Sequence, residues 1–257
     1  NDSQEVGSGS DSSTDEEVNA MFGSKKLKSS SREITERILA GATDKKILVM
    51  DAGSGRCKAW FADDGAPCVD FPSIIGRPKP TILRTPFGKN LKESLFVGDE
   101  AEQICMRGLL ALEYPIERGM VTDWDVMEKI WHHTFFRKLQ VAPEDHHVLL
   151  IEPFLYPKAS RERMAFIMFN TFDIAAITMC TNAVLSLWSS GRDTGCVVES
   201  GDGISVAVPI YEGLFIPHAL RFIGLAGRDL TDYMATLLTE RGFYYTSNVN
   251  EKEIVRS

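Results

Sequence analysis

From residue 46 onward the chain alternates short apolar runs with longer stretches whose apolar residues recur at helical spacing. The short runs predict strands at residues 47–50, 59–62, 68–71, 148–151, 195–198 and 204–210. The helical spacing predicts helices at residues 124–136, 160–172, 182–189 and 230–241, with Ser160 as an N-cap and Gly242 as a C-terminal cap. Strands that alternate with helices favour an α/β fold in which helices cover both faces of a sheet.

Two segments lie outside this alternation. Ser, Asp, Glu and Gly dominate residues 1–17, which show no apolar periodicity, and residues 31–39 offer at most a short amphipathic turn or two. Such a composition cannot bury enough apolar surface to fold, so residues 1–45 are predicted to form a disordered, acidic, Ser-rich tail. Residues 72–92 are rich in Pro, Lys and Gly, which predicts a mobile excursion.

Two glycine-rich turns each follow a predicted strand, Asp51-Ala-Gly-Ser-Gly-Arg-Cys-Lys58 and Glu199-Ser-Gly-Asp-Gly203. Small residues let backbone N–H groups close on an anion without obstruction by side chains. Lys58 would add positive charge beside phosphate oxygens, and Asp51 or Asp202 would hold the waters of a hydrated divalent cation. Two such turns suggest one nucleotide clamped between two similar halves, whereas either turn alone is more typical of an ordinary β-turn.

Composition places the chain among soluble globular proteins, with 44% hydrophobic and 25% charged residues. The net charge of −8 argues against broad nucleic-acid binding. We also expect no membrane partner, because no apolar run approaches the roughly 18 residues of a membrane span. The five cysteines form no Cys-x-x-Cys pair, which predicts reduced and mostly buried thiols. The adjacent pairs His132-His133 and His146-His147 indicate packing or surface roles.

Several motifs together give the chain a resemblance to actin, and they occur in that family's order from about Ile47 to Arg256. The motifs are Asp51-Ala-Gly-Ser-Gly-Arg-Cys-Lys-Ala, Phe71-Pro-Ser-Ile-Ile-Gly-Arg-Pro, Val97-Gly-Asp-Glu-Ala, Tyr114-Pro-Ile-Glu-Arg-Gly, Met127-Glu-Lys-Ile-Trp-His-His-Thr-Phe, Ala183-Val-Leu-Ser-Leu, Val208-Pro-Ile-Tyr-Glu-Gly and Leu225-Ala-Gly-Arg-Asp-Leu-Thr-Asp-Tyr. The resemblance implies the actin-like ATPase (ribonuclease H-like) fold, in which two related α/β domains flank an ATP cleft.

The same resemblance assigns the two glycine turns to the β- and γ-phosphates of Mg-ATP. The implied cofactor-binding residues are Asp51, Gly53, Ser54, Gly55 and Lys58 in the first turn and Gly201, Asp202 and Gly203 in the second. Asp51 and Asp202 are the implied Mg²⁺ ligands, each acting through water.

Three changes fall where the family hydrolyses ATP. The family's water-positioning glutamine corresponds to Asn182, the aspartate at the head of its second hairpin to Glu199, and the histidine of its water relay to Val206. Asn182 is one methylene shorter, and a misplacement of about 1 Å in a positioning group can cost roughly 100-fold in rate. Val206 cannot shuttle a proton. We therefore expect Asn182 and Glu199 to be degraded catalytic residues, with ATP binding kept better than hydrolysis.

Other changes concern assembly and domain organisation. The histidine that many actins methylate corresponds to Arg118. A lengthened loop at residues 81–95 implies altered or absent self-polymerisation, with a flexible loop of no role as the alternative. The implied first lobe covers residues 46–189, including a small mobile subdomain at about residues 73–114. Residues 190–257 begin a second lobe that is predicted to be incomplete, because the family continues beyond Arg256.

The sequence thus predicts an actin-like, ATP-binding cytoskeletal protein with weak or absent ATP hydrolysis. A non-polymerising, actin-related interaction subunit is the alternative, and a phosphotransferase of the sugar- or acetate-kinase type is a remote one. The expected cofactors are ATP and Mg²⁺. The expected partners are copies of itself, other actin-family subunits or actin-binding proteins, in the cytoplasm and cytoskeleton, with the nucleus as an alternative location.

Overall fold

The structure is a computed structural model, and it describes residues 45–80, 95–105, 107–154 and 156–243. The predicted tail therefore lies outside the described residues except for its last residue, and so does the lengthened loop except for residue 95. Residues 244–257 lie outside them as well.

The secondary structure alternates between strands and helices, as the sequence predicts. The strands are β1 (Ile47–Ala52), β2 (Arg56–Phe61), β3 (Val69–Pro72), β4 (Ile75–Pro78), β5 (Phe96–Val97), β6 (Leu110–Glu113), β7 (Ile116–Glu117), β8 (Met120–Val121), β9 (His147–Glu152), β10 (Ala176–Thr181), β11 (Gly195–Ser200), β12 (Ser205–Tyr211), β13 (Leu214–Phe215) and β14 (Arg221–Ile223). The α-helices are α1 (Asp99–Cys105), α2 (Trp124–His132), α3 (Lys158–Asn170), α4 (Asn182–Ser189) and α5 (Gly227–Glu240). Short 3₁₀ turns lie at Pro143–Asp145 and Pro217–Ala219.

The main sheet has five strands in the order β10-β9-β1-β2-β3. Strands β1, β9 and β10 are parallel, and β2 and β3 are added as antiparallel hairpin strands. Parallel neighbours need a crossover connection, and α3 supplies the one between β9 and β10. The carboxyl ends of β1, β9 and β10 consequently meet at one edge of the sheet, where α/β folds place their ligands.

Besides the antiparallel pair β7-β8, two smaller sheets accompany the main sheet in the described residues. One is antiparallel, with β11, β12 and β13 in order and β14 also paired to β12. The other has the order β5-β4-β6, with α1 beside it. Strand β4 corrects the prediction of a mobile excursion at residues 72–92, because residues 75–78 pair with both β5 and β6. The burial of Ile75 and Gly76 and their pairing on both sides outweigh the nearby prolines.

The main core lies between the five-stranded sheet and helices α2 and α3. Ile130 and Trp131 of α2, and Phe135 just after it, are at most 1% exposed. The predicted helix at residues 124–136 changes at His132 from an α-helix to a π-helix, His133–Leu139. The buried Thr134 hydroxyl donates to the Ile130 carbonyl at 2.8 Å, and such back-bonding loosens the regular α-helical ladder.

Two predicted helix starts are wrong by two or three residues. Helix α3 begins at Lys158, with Pro157 and not Ser160 at the N-cap position, because proline fixes φ at −58° just before the first turn. Helix α5 begins at Gly227, since the Asp229 side chain accepts the Ala226 N–H at 2.9 Å and caps the helix early. The prediction for α4 is confirmed over residues 182–189.

Cysteine and histidine positions test two further predictions. All five cysteines are free, but only Cys57 and Cys105 are buried, so the expectation of mostly buried thiols is wrong. Cys196 is exposed because alternate residues of β11 face outward. The His133 ring packs against Phe71 with 5.1 Å between ring centres, which agrees with a packing role for that histidine. None of the helices in the described ranges has the length and apolar character needed to cross a membrane.

The packing of helix α2 against the five-stranded sheet can be tested by a substitution in the core. Replacement of the fully buried Ile130 by alanine leaves a cavity against the five-stranded sheet, and we expect it to lower the free energy of unfolding by about 2–5 kcal/mol. Urea denaturation measures this loss, with His132→Ala on the exposed side of the same helix as the control. Equal stability of the two variants would contradict the packing described.

Candidate functional site

The two glycine-rich turns form hairpins of the same design. In the first glycine hairpin, between β1 and β2, the Gly53 N–H donates to the Arg56 carbonyl at 3.0 Å. In the second, between β11 and β12, the Gly201 N–H donates to the Ile204 carbonyl at 2.8 Å. Both bonds therefore close a four-residue turn, and each turn has a carboxylate two positions before its first glycine.

The tips of the two glycine hairpins interlock. A Cβ atom added at Gly55 would lie 2.8 Å from Asp202 Cβ, which is closer than real side chains approach. A Cβ atom added at Gly203 would collide with the Ser54 side chain. Each hairpin thus requires a glycine opposite the side chain of the other, and this requirement explains the Gly-x-Gly pattern of both.

An open cleft of about 720 Å³ lies between the hairpins and the carboxyl edge of the main sheet. Ten of the eleven residues singled out from the sequence line it: Asp51, Gly53, Ser54, Gly55, Lys58, Asn182, Glu199, Gly201, Asp202 and Gly203. The hairpins and the N-terminal end of α4 therefore bring the predicted phosphate, cation and water-positioning residues to one place.

Val206 is the residue that the structure separates from this group. Its side chain is fully buried in the core beside the antiparallel sheet of β11, β12, β13 and β14, although Val206 is the cross-strand partner of Glu199. Asn182, in contrast, is exposed to the cleft as the first residue of α4. Glu199 consequently has a buried aliphatic residue as its cross-strand partner.

Burial raises the pKa values of three carboxylates that line the cleft, Asp51, Glu152 and Glu199. Burial raises the pKa of Asp51, and its cross-strand neighbour Lys58 partly offsets the rise. Burial raises the pKa of Glu199 to about 7, with a further contribution from the negative charge of Asp51. Among the described residues, Glu199 Oε1 is buried without a hydrogen-bond partner. The site therefore carries negative charge that a bound cation would compensate.

The chemistry of the site fits a phosphate group and a hydrated cation. The amides of Ser54, Gly55, Asp202 and Gly203 lie at the hairpin tips, outside the two closing bonds, and Lys58 provides a positive charge beside them. In the part of the chain that the structure describes, no three His, Cys, Asp or Glu side chains converge as a metal cage. A magnesium ion held by one or two carboxylates and several waters needs no such cage.

Sequence reasoning missed the side chains that connect the hairpins. Arg228 Nη2 donates to the Ser54 carbonyl at 2.9 Å and to Asp202 Oδ2 at 2.9 Å. Arg118 makes two hydrogen bonds to Asp229, at 2.6 and 2.7 Å. The available signal was the Arg228-Asp229 pair at the start of a predicted amphipathic helix, because an acidic residue in a first turn often caps it.

Comparison with known proteins gives two findings. The family model described as Actin matches residues 42–256. An "Actin-like protein" of Neurospora crassa is 47% identical over 209 residues, which are 81% of this chain and 54% of that protein. This chain thus spans about half the length of that relative.

The buried Glu199 carboxylate predicts a pH-dependent cost in stability. As pH rises from about 4.5 to 7, Glu199 ionises in the unfolded chain but stays protonated in the folded one, so folded stability falls. A fully shielded group with this shift would cost about 3 kcal/mol, and for the partly buried Glu199 we expect about 1 kcal/mol. Glu199→Gln should therefore be more stable than the parent at pH 8 and equal to it at pH 4.

Urea denaturation at the two pH values measures the difference. Glu117→Gln is the matched control, since it removes an exposed carboxylate that does not line the cleft. A gain for Glu199→Gln that is the same at both pH values would show that the buried charge is not the cause.

Proposed function

The chain belongs to the actin family, and we propose that it binds Mg-ATP between its two glycine hairpins as part of an actin-like cytoskeletal protein. The observation that carries the proposal is the convergence of the hairpins. Two turns of one design meet tip to tip over a cleft that is lined by Lys58 and by four carboxylates. The family membership supports the assignment of this cleft to a nucleotide.

Each group at the cleft has a role in this proposal. The tip amides and Lys58 bind phosphate oxygens, because oriented N–H dipoles and a point charge favour anions. Asp51 and Asp202 orient waters of the magnesium ion, and Arg228 fixes the orientation of the Asp202 carboxylate. When bound, Mg-ATP would supply a phosphoanhydride, and the amides of the two hairpins would hold its terminal phosphates.

Hydrolysis is weak or absent in the proposed function. Asn182 presents an amide at the cleft, but its shorter side chain places that amide differently from a glutamine. Val206 is sealed in the core and cannot pass a proton. The raised pKa of Glu199, about 7, leaves this carboxylate able to accept a proton near neutral pH, so the expected loss of hydrolysis rests on Asn182 and Val206.

A second candidate function is that of a non-polymerising interaction subunit. The favouring observation is a set of exposed apolar side chains on β14 and α5: Phe222, Ile223, Leu230, Tyr233 and Met234, each 46–63% exposed. Sedimentation under polymerising conditions separates the candidates, since a filament-forming protein pellets and an interaction subunit stays in the supernatant. In either case we place the protein in the cytoplasm and cytoskeleton, with the nucleus as the alternative.

Nucleotide binding is tested by calorimetric titration of Mg-ATP into the chain. Gly55→Ala introduces a Cβ atom against Asp202 and forces the hairpin tips apart, so we expect at least about a tenfold loss of affinity. Gly65→Ala is the matched control, because its new methyl group meets nothing within 4 Å. Absence of binding by the parent chain, or equal affinity of both variants, would contradict the proposed site.

Phosphate release from the same samples tests the second part of the proposal. We expect binding without measurable turnover, since no positioned relay follows Glu199. Release at the rate of an ordinary actin, measured alongside, would overturn the expectation of weak hydrolysis while leaving the binding site intact.

A further inference from the structure

We propose that Arg118 is a positioning residue, which closes a bracket of side chains across the two glycine hairpins and thereby slows nucleotide release. The cross-cleft bracket consists of Arg118, Asp229, Arg228, Asp202 and Ser54. The inference rests on the proposed nucleotide binding, and it assigns to this site a regulator that acts from outside the cleft.

The outer part of the bracket is an ion pair between distant parts of the chain. Arg118 and Asp229 are 111 positions apart, and both terminal guanidinium nitrogens bond to the carboxylate, one to each oxygen. Such a fork fixes direction as well as distance. The Arg118 hydrogen bonds are also the largest reason why the pKa of Asp229 lies below its usual range.

Asp229 transmits this contact to the start of helix α5. The same carboxylate accepts the Ala226 N–H at 2.9 Å, which holds the first turn of the helix. That turn is in addition bonded to the second hairpin, because the Gly227 and Arg228 amides donate to the Gly201 and Asp202 carbonyls at 2.9 and 2.8 Å. A displacement of Asp229 would therefore move the backbone of the second hairpin.

Arg228 forms the inner part of the bracket. Its guanidinium bonds to the Ser54 carbonyl of the first hairpin and to the Asp202 carboxylate of the second, and it stacks over the Tyr114 ring at 5.0 Å. Arg228 thus joins both hairpins directly, and its place is set by the helix start that Asp229 caps.

The backbone beside Arg118 completes a closed ring of contacts. Arg118 has a φ of +50°, and the next residue, Gly119, donates its N–H to Ser54 Oγ at 3.0 Å. The ring runs from Ser54 through Gly119 and Arg118 to Asp229, and then through Arg228 back to Ser54. The hairpins cannot separate unless at least two of these links break.

The Arg118–Asp229 link is the one that solvent and salt reach. Its side chains are 58% and 26% exposed, whereas those of Arg228 and Asp202 are 29% and 14% exposed. Ion pairs at the surface are screened by salt much more than buried ones. The contribution of Arg118 to holding the cleft closed should therefore fall as ionic strength rises.

The test is the dissociation rate of a fluorescent ATP analogue with Mg²⁺, chased with excess ATP. At low salt we expect Arg118→Gln to release the analogue about three- to fivefold faster than the parent. This is the factor expected when one exposed ion pair no longer stabilises the bound state. Asp229→Asn keeps a side-chain oxygen for the Ala226 N–H and should match Arg118→Gln. Arg118→Lys keeps the charge without the fork and should restore part of the parent rate.

Two comparisons separate positioning from general stability. At about 1 M salt, where the Debye length is about 3 Å, the ratio of variant to parent rates should approach one. The control is Arg77→Gln, which breaks the Arg77–Glu113 ion pair. This pair has a 2.7 Å contact and similar exposure, and it does not line the cleft. The Arg77→Gln variant should release the analogue at the parent rate. Equal rates for Arg118→Gln and Arg77→Gln, or a ratio that does not depend on salt, would overturn the proposal.

Hydrogen exchange distinguishes failure of the bracket from failure of nucleotide binding. If the parent chain binds no analogue, the proposed function fails, and the bracket is tested without nucleotide. Faster exchange at the Gly119, Gly227 and Arg228 amides in Arg118→Gln than in Arg77→Gln supports the bracket. Unchanged exchange at these amides overturns it.

Discussion

The site depends on the parallel pairing of β1, β9 and β10. Because these strands run in one direction, their carboxyl ends lie at one edge, where Asp51, Glu152 and Asn182 come together from segments far apart in sequence. The first glycine hairpin leaves β1 at this edge. The second comes from a separate antiparallel sheet, so the cleft exists only where the two sheets face each other.

Much of this arrangement could be predicted from sequence. Short apolar runs before Gly-x-Gly turns located both hairpins, and the helical spacing of residues 182–189 placed Asn182 at the start of a helix. Apolar periodicity gave the wrong helix type or helix start where a side chain hydrogen-bonds to the backbone. The Thr134 hydroxyl bonds to a helix carbonyl beside the change to a π-helix, and the Asp229 carboxylate begins α5 earlier than its apolar pattern.

The contacts across the cleft could not be predicted, because they join residues more than 100 positions apart. Nothing local to Arg118 indicates Asp229 as its partner, and nothing local to Arg228 indicates the Ser54 carbonyl. The raised pKa of Glu199 was hidden for the same reason, since it depends on burial and on Asp51, and neither can be derived from the residues next to Glu199. Residue types indicated which side chains would line the cleft, whereas the burial and the charged neighbours that shift their pKa values depend on the fold.

The interlocked hairpin tips have a consequence for how this sequence can evolve. Gly55 is required by the side chain at position 202, and Gly203 by the side chain at position 54. Because the Cβ atom of the opposite residue is part of each clash, a larger residue at either glycine becomes acceptable only after the opposite residue has itself become glycine. Positions 54 and 203, and likewise 55 and 202, should therefore change in pairs and in a fixed order, and two lineages that differ at one tip should be incompatible when single hairpins are exchanged between them.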